Sequence, residues 1–252
     1  MANDLDLTDP EVFKAQAEQF ADELSTTVQS VFGSDVSEFV ATVSPGKDSV
    51  MAAFVRQAGS EGIHLSFAGS PLLTMQVRMR LTPDSAGKHL RVVSSKFDVT
   101  PYGGTQPVFR YEYEREMESS CYPAAHVQFH GRHQQLEQAL EGAGRRKTKS
   151  SPAGAGRPNI TDLHFPLGGT RFRPCFEDLL EMLLNEFRLD VPDRDAAFAA
   201  LAEGRAKWRG VQLRASVRDD MECAAAVLRS HNYQVVAPDP APRPNSDRLR
   251  RI

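Results

Sequence analysis

The residues able to do acid–base chemistry crowd into two short alternating segments. In one, Arg110, Glu112 and Glu114 alternate with Phe109, Tyr111 and Tyr113; in the other, His126, Gln128 and His130 alternate with Ala125, Val127 and Phe129. A period of two marks a strand with one face in a core and one in water. A histidine beside a glutamate is the minimal acid–base pair, because the carboxylate orients the ring and favours its charged form. An arginine nearby can hold a phosphate through two parallel hydrogen bonds. His126, His130, Glu112, Glu114 and Arg110 are therefore the candidate catalytic set. His164 and Asp162, on a further candidate strand, and Arg78 and Arg80, on an earlier one, fall on the same polar face, where His164 is a candidate binding residue. The same residue types also line the wet side of half-exposed antiparallel sheets, where Glu–His and Arg–Glu pairs stabilise strands with no further role.

One register of the two segments sets Arg110 opposite His130, Glu112 opposite Gln128 and Glu114 opposite His126. His126 and His130 are four residues apart on a strand, about 13 Å, so one metal ion cannot take both as ligands. No metal site and no cofactor are expected. Two other features carry chemistry. Residues 142–158, GAGRRKTKSSPAGAGRP, form a basic loop in which Arg145, Arg146, Lys147 and Lys149 can attract phosphates. Ser44-Pro45-Gly46-Lys47-Asp48-Ser49 resembles the pyrophosphate loop of PP-loop nucleotide-binding enzymes, which joins a buried strand to a helix. Pro45 departs from that motif by removing a backbone donor, and a turn capping the next helix is the plainer reading.

The elements that must position these residues are legible in outline. Thr8 and Glu11 form a capping box with Pro10 in the first turn, and Gly33 stops a helix whose stripe is Phe13, Ala17, Phe20, Leu24, Val28 and Val31. Residues 39–43 are ambiguous between strand and helix, and 48–58 read as a second helix. Leu73 to Leu81 alternate without a miss, and Pro83 to Lys88 are turn chemistry, so the next strand pairs antiparallel. Its apolar phase slips at Val92–Val93, which predicts a bulge. With Leu163, Phe165 and Leu167 as the last candidate, about five strands form a meander. Pro174 opens a helix carrying Phe176, Leu179, Leu180, Leu183, Leu184 and Phe187 on one face, and that helix and the first should cover the apolar side of the sheet. After Pro192 the chain reads as helical to about residue 230, although Val211 to Val217 alternate like a strand.

The expected class is therefore α+β: an antiparallel meander domain over 63–187, an N-terminal helical region over 1–62, a C-terminal helical region over 188–236 and a disordered tail over 237–252. Charge is uneven across 252 residues of net charge −3: −8 over 1–62, +6 over 63–175 and −1 over 176–252. A basic middle suits an anionic partner or internal docking. The start lacks the basic and apolar run of a secretory signal, and no apolar stretch approaches the roughly 20 residues of a membrane span. Three cysteines without C-x-x-C spacing read as free thiols, and the expected location is cytoplasmic.

Residues 107–187 pass from Arg110-Tyr111-Glu112, through Pro123 and a His-bearing strand, to a Phe172-Arg173-Pro174 turn and a helix ending at Phe187. That order resembles the TumE-type toxins of prokaryotic toxin–antitoxin pairs, over about a third of the chain, with His126-x-x-x-His130 more widely spaced than the histidines of that family. The resemblance implies an RNA-directed or defence-related role. The leading expectation is a non-enzymatic binding or regulatory protein that meets RNA or another protein through its polar face and basic loop. The alternative is an RNA-cleaving, toxin-like enzyme using His126 or His130 with Glu112 or Glu114 and Arg110; a second is a PP-loop-like nucleotide-binding protein. A concave pocket gathering those side chains favours the enzyme, and a flat solvated face favours binding.

Overall fold

The computed structural model describes residues 5–46, 50–115, 122–143 and 159–245. The first helix, α1 (Pro10–Phe32), starts one residue later than its capping pattern suggests. Pro10 occupies the first turn, where its fixed φ suits helix and its missing N–H costs nothing. Asp9 is thereby the cap, its carboxylate accepting from the backbone of Glu11 at 2.8 Å and Val12 at 3.3 Å, while the Thr8 hydroxyl turns back to Asp6. Gly33, at φ 98°, closes the far end by donating to the Gln29 carbonyl.

A hairpin follows, β1 (Phe39–Pro45) and β2 (Met51–Gln57), closed by a bond from the Gly46 N–H to the Val50 carbonyl at 2.7 Å. The helix expected over 48–58 is thus a strand. Met and Ala favour helix only weakly, and here Ala53, Val55 and Gln57 turn inward while the backbone pairs with a neighbour on each side. Ser44, Pro45 and Gly46 accordingly run from one antiparallel strand towards another, without the following helix that a PP-loop needs; Lys47, Asp48 and Ser49 lie outside the described residues.

The remaining strands are β3 (Ile63–Phe67), β4 (Ser70–Pro83), β5 (Leu90–Pro101), β6 (Phe109–Glu114), β7 (Ala125–Phe129) and β8 (Phe165–Pro166). They form one antiparallel sheet ordered β1-β2-β4-β5-β6-β7-β8, with β3 beside β2 along the same edge of β4. Among the described residues eight strands replace about five, because 39–57 adds two strands to the meander's own sheet and Ile63–Phe67 adds a third. The bulge falls as expected: Arg80 pairs with Ser94 and Leu81 with Val92, leaving Val93 as the extra residue. The last expected strand shrinks to two residues after a 3₁₀ turn at Ile160–Asp162. Four further helices are α2 (Gln134–Gly142), which the sequence reading missed, α3 (Phe176–Glu186), α4 (Arg194–Asp219) and α5 (Met221–Ser230). The alternation from Val211 to Val217 lies inside α4. No described helix is long and apolar enough to cross a membrane.

One α+β core results. The α1 stripe and Leu179, Leu180, Leu183 and Leu184 of α3 pack with Val55, Met75, Val77, Leu81 and Val99 of the sheet. The Phe176 ring lies 5.3 Å from Phe97 and edge-on to Phe39 at 6.4 Å, so α3 seals the sheet's apolar face as the pattern implied. The opposite face is left to its polar residues. Ser25, buried in α1, ties helix to sheet by accepting from the Phe39 N–H at 2.8 Å while donating to the Ala21 carbonyl at 2.9 Å. Ser25→Ala leaves that buried N–H without a partner, so urea denaturation should show a loss of about 1–3 kcal/mol.

Candidate functional site

Pairing between strands turns the polar face into an ordered array. Arg56, Arg78, Lys96, Glu112 and His126 lie directly opposite one another across β2, β4, β5, β6 and β7, and the next row runs Gln76, Asp98, Arg110, Gln128. The strand pairing therefore differs by two residues from the register first considered. Glu112, not Glu114, faces His126, and Arg110 faces Gln128 rather than His130. A shift of two keeps every side chain on its face, so the alternation could not distinguish the registers. Glu114 instead reaches Arg80, at 3.8 Å.

Burial is the second departure. His126 is only 5% exposed although it lies on the face away from the helices. The chain after residue 158 folds over that end of the sheet. Asn159 and Asp162 cap the 3₁₀ turn reciprocally, and the Gln128 amide donates to the Thr161 carbonyl at 2.5 Å. This brings His164, which lies just outside β8, to 4.6 Å from His126 between ring centroids, with Tyr122 at 4.1 Å on His164. The floor and this wall enclose a cleft of about 1060 Å³ lined by Phe54, Arg78, Arg80, Lys96, Arg110, Glu112, Glu114, Tyr122, His126, Gln128, His130 and His164, among others. All five candidate catalytic residues and His164 thus share one concavity. Arg145, Arg146, Lys147 and Lys149 lie outside the described residues.

Within the cleft the ionic contacts are local and unequal. Asp98, 6% exposed, draws in Arg110 at 2.8 Å, Lys96 at 3.9 Å and Arg78. Glu112 sits between Lys96 at 2.7 Å and His126 Nε2 at 3.3 Å. The hydrogen bond from His126, with further help from Lys96, overcomes burial and holds the Glu112 carboxyl down at about 2. His126 Nδ1 lies 3.0 Å from the Pro123 carbonyl, and Nε2 faces the Glu112 carboxylate. His130 differs: burial first, then the Arg110 charge, pushes it below the ordinary histidine range, and its Nε2 has no hydrogen-bond partner among the described residues. Among the described residues no His, Cys, Asp or Glu cluster is arranged to hold a metal ion.

Sequence reasoning named the histidines and missed Lys96, Asp98, Tyr122 and the Thr161 wall. Lys96 and Asp98 flank Phe97 in plain alternation and were readable. Tyr122 and Thr161 sit in aperiodic segments, where the Asn159–Asp162 capping pair was the only local signal.

Because the Glu112 carboxyl titrates lower in the folded chain, its contribution is complete above the ordinary value of 4.5 and is lost as the pH falls through about 2. Wild type should therefore exceed Glu112→Gln in stability by at most about 3 kcal/mol at pH 6. Denaturant titrations at successive pH values should show that gap closing between pH 5 and 2.

The chain matches no protein-family model, no curated protein and no solved structure. The likeness to TumE-type toxins therefore rests on the residues quoted for it, and the chemistry of the cleft has to be argued from its own side chains.

Proposed function

We propose that the protein is an RNA-cleaving enzyme that acts on the phosphodiester backbone within this cleft. The observation that carries the reading is the gathering of His126, His130, Glu112 and Arg110 into one concave, partly dry site. Such a site limits water around its acid–base groups, which a flat wet sheet face does not. RNA supplies its own nucleophile in the 2′-hydroxyl, so two histidines and a cation suffice. His130, kept neutral, takes the 2′-hydroxyl proton, and the 2′-oxygen attacks the adjacent phosphorus. The bond from phosphorus to the 5′-oxygen breaks as His126 Nε2 turns from Glu112 to the leaving oxygen and gives up its proton there. Arg110, between the two histidines across from Gln128, holds the non-bridging oxygens. Glu112 orients His126 and stabilises its charge. The products are a 2′,3′-cyclic phosphate and a 5′-hydroxyl, and no water or cofactor is consumed.

A binding or regulatory role is the second reading. It is favoured by the pairing of Arg78, Lys96 and Arg110 with carboxylates already in the free protein. One time course separates the two. On end-labelled single-stranded RNA, wild type should produce cyclic-phosphate ends, and His126→Ala and His130→Ala, purified in parallel, should each lose about 10² to 10⁴ in rate. A 2′-deoxy substitution at the cut position should block cleavage. RNA that is bound and left intact by wild type sinks the enzyme and favours binding; cleavage undiminished in both variants removes these residues from the mechanism.

A further inference from the structure

The cationic row continues past the acid–base site, and its outer end, Arg56, has no carboxylate partner among the described residues. Arg56, Arg78 and Lys96 stand directly opposite one another on three adjacent strands. Like charges so placed repel and weaken a sheet. Asp98 and Glu112 offset this at Arg78 and Lys96. Arg56 is exposed, and among the described residues it has no carboxylate partner. Beside it on the same face is Phe54, which is 47% exposed and lines the cleft, on a side of the strand where alternation calls for a polar residue. Val40, opposite Arg56, is also exposed. An unspent cation next to an exposed aromatic is the local chemistry that takes a phosphate and stacks a base.

From His126 on β7 to Arg56 on β2 is four strand spacings, about 19 Å. That exceeds one nucleotide. Resting on the RNA-cleaving reading, we infer that the substrate is a single-stranded polynucleotide laid across the strands, with phosphates following Lys96, Arg78 and Arg56 and one base stacked on Phe54. Arg56 and Phe54 are then specificity-determining residues that select a polymer over a dinucleotide or a free nucleotide.

The test is fluorescence anisotropy with labelled 2′-O-methyl dinucleotide and octanucleotide, which lack the nucleophile and stay intact, titrated into the whole chain at several salt concentrations. Wild type should bind the octanucleotide more tightly. Arg56→Ala should lower the ratio of octanucleotide to dinucleotide affinity and reduce the slope of log affinity against log salt by about 0.7. Arg56→Lys should restore most of both, and Phe54→Ala should weaken octanucleotide binding about tenfold. Length-independent affinity, or octanucleotide binding unaltered in both Arg56→Ala and Phe54→Ala, overturns the track. Failure of the parent reading looks different: the octanucleotide binds with the expected length and Arg56 dependence, yet unmodified RNA is not cut. No binding of either oligonucleotide removes both.

Discussion

The polar side of this protein depends on one buried carboxylate. Asp98 lies in the middle of β5, nearly sealed from water, with cations arriving from β4, from β6 and from its own strand. A charge so placed is tolerable only when paired, because its desolvation costs several kcal/mol otherwise. Supplying the partners from β4 and β6 as well as from β5 itself locks those strands against slipping. A slip by one residue would turn the arginines into the core, and a slip by two would leave Asp98 facing the wrong row. The row that contains Glu112 and His126 is set by the same registers, so the acid–base pair inherits its geometry from an ionic contact one row away.

Glu112 and Asp98 divide the work. Lys96 touches both, and its shorter contact is to Glu112, at 2.7 Å. The carboxylate that faces His126 is therefore held by a cation on one side and a histidine on the other, fully ionised at any physiological pH. His130 lies beyond Arg110 from this cluster and is pushed the opposite way by burial and by the same guanidinium that Asp98 holds. Two histidines four residues apart, one in β7 and one just past its end, thus acquire contrasting environments. The strand alone cannot produce that contrast; the neighbours on β5 and β6 do.

How much of this was legible follows from which constraints are local. Alternation over Leu73–Leu81, Phe109–Glu114 and Ala125–Phe129 identified three strands and assigned each side chain to the correct face, and the phase slip at Val92–Val93 marked the bulge. Register between β6 and β7 was not legible, since both candidates satisfy the same faces. β2 was misread because Met51-Ala52-Ala53 favours helix locally, and that error hid Phe54, which lines the cleft, and Arg56 beside it, whose places on the polar face exist only once β2 lies beside β4. Long-range pairing decided these points, and single-chain patterns do not encode it.

The closing of the cleft shows the same rule at the level of chemistry. Side chains on a regular strand point in parallel and stay wet, which argues against catalysis when the strand is considered alone. What changes the argument is a short aperiodic segment. The 3₁₀ turn at Ile160–Asp162, fixed by its own capping pair and by Gln128, carries His164 over His126 and removes solvent from a face that sheet geometry would leave open. Burial then acts selectively. It leaves Arg78 half in water, buries His126 against Glu112, and strands the His130 ring nitrogen without a partner. A buried nitrogen with no partner weakens the fold, and a ligand hydroxyl bound at that point would supply what is missing.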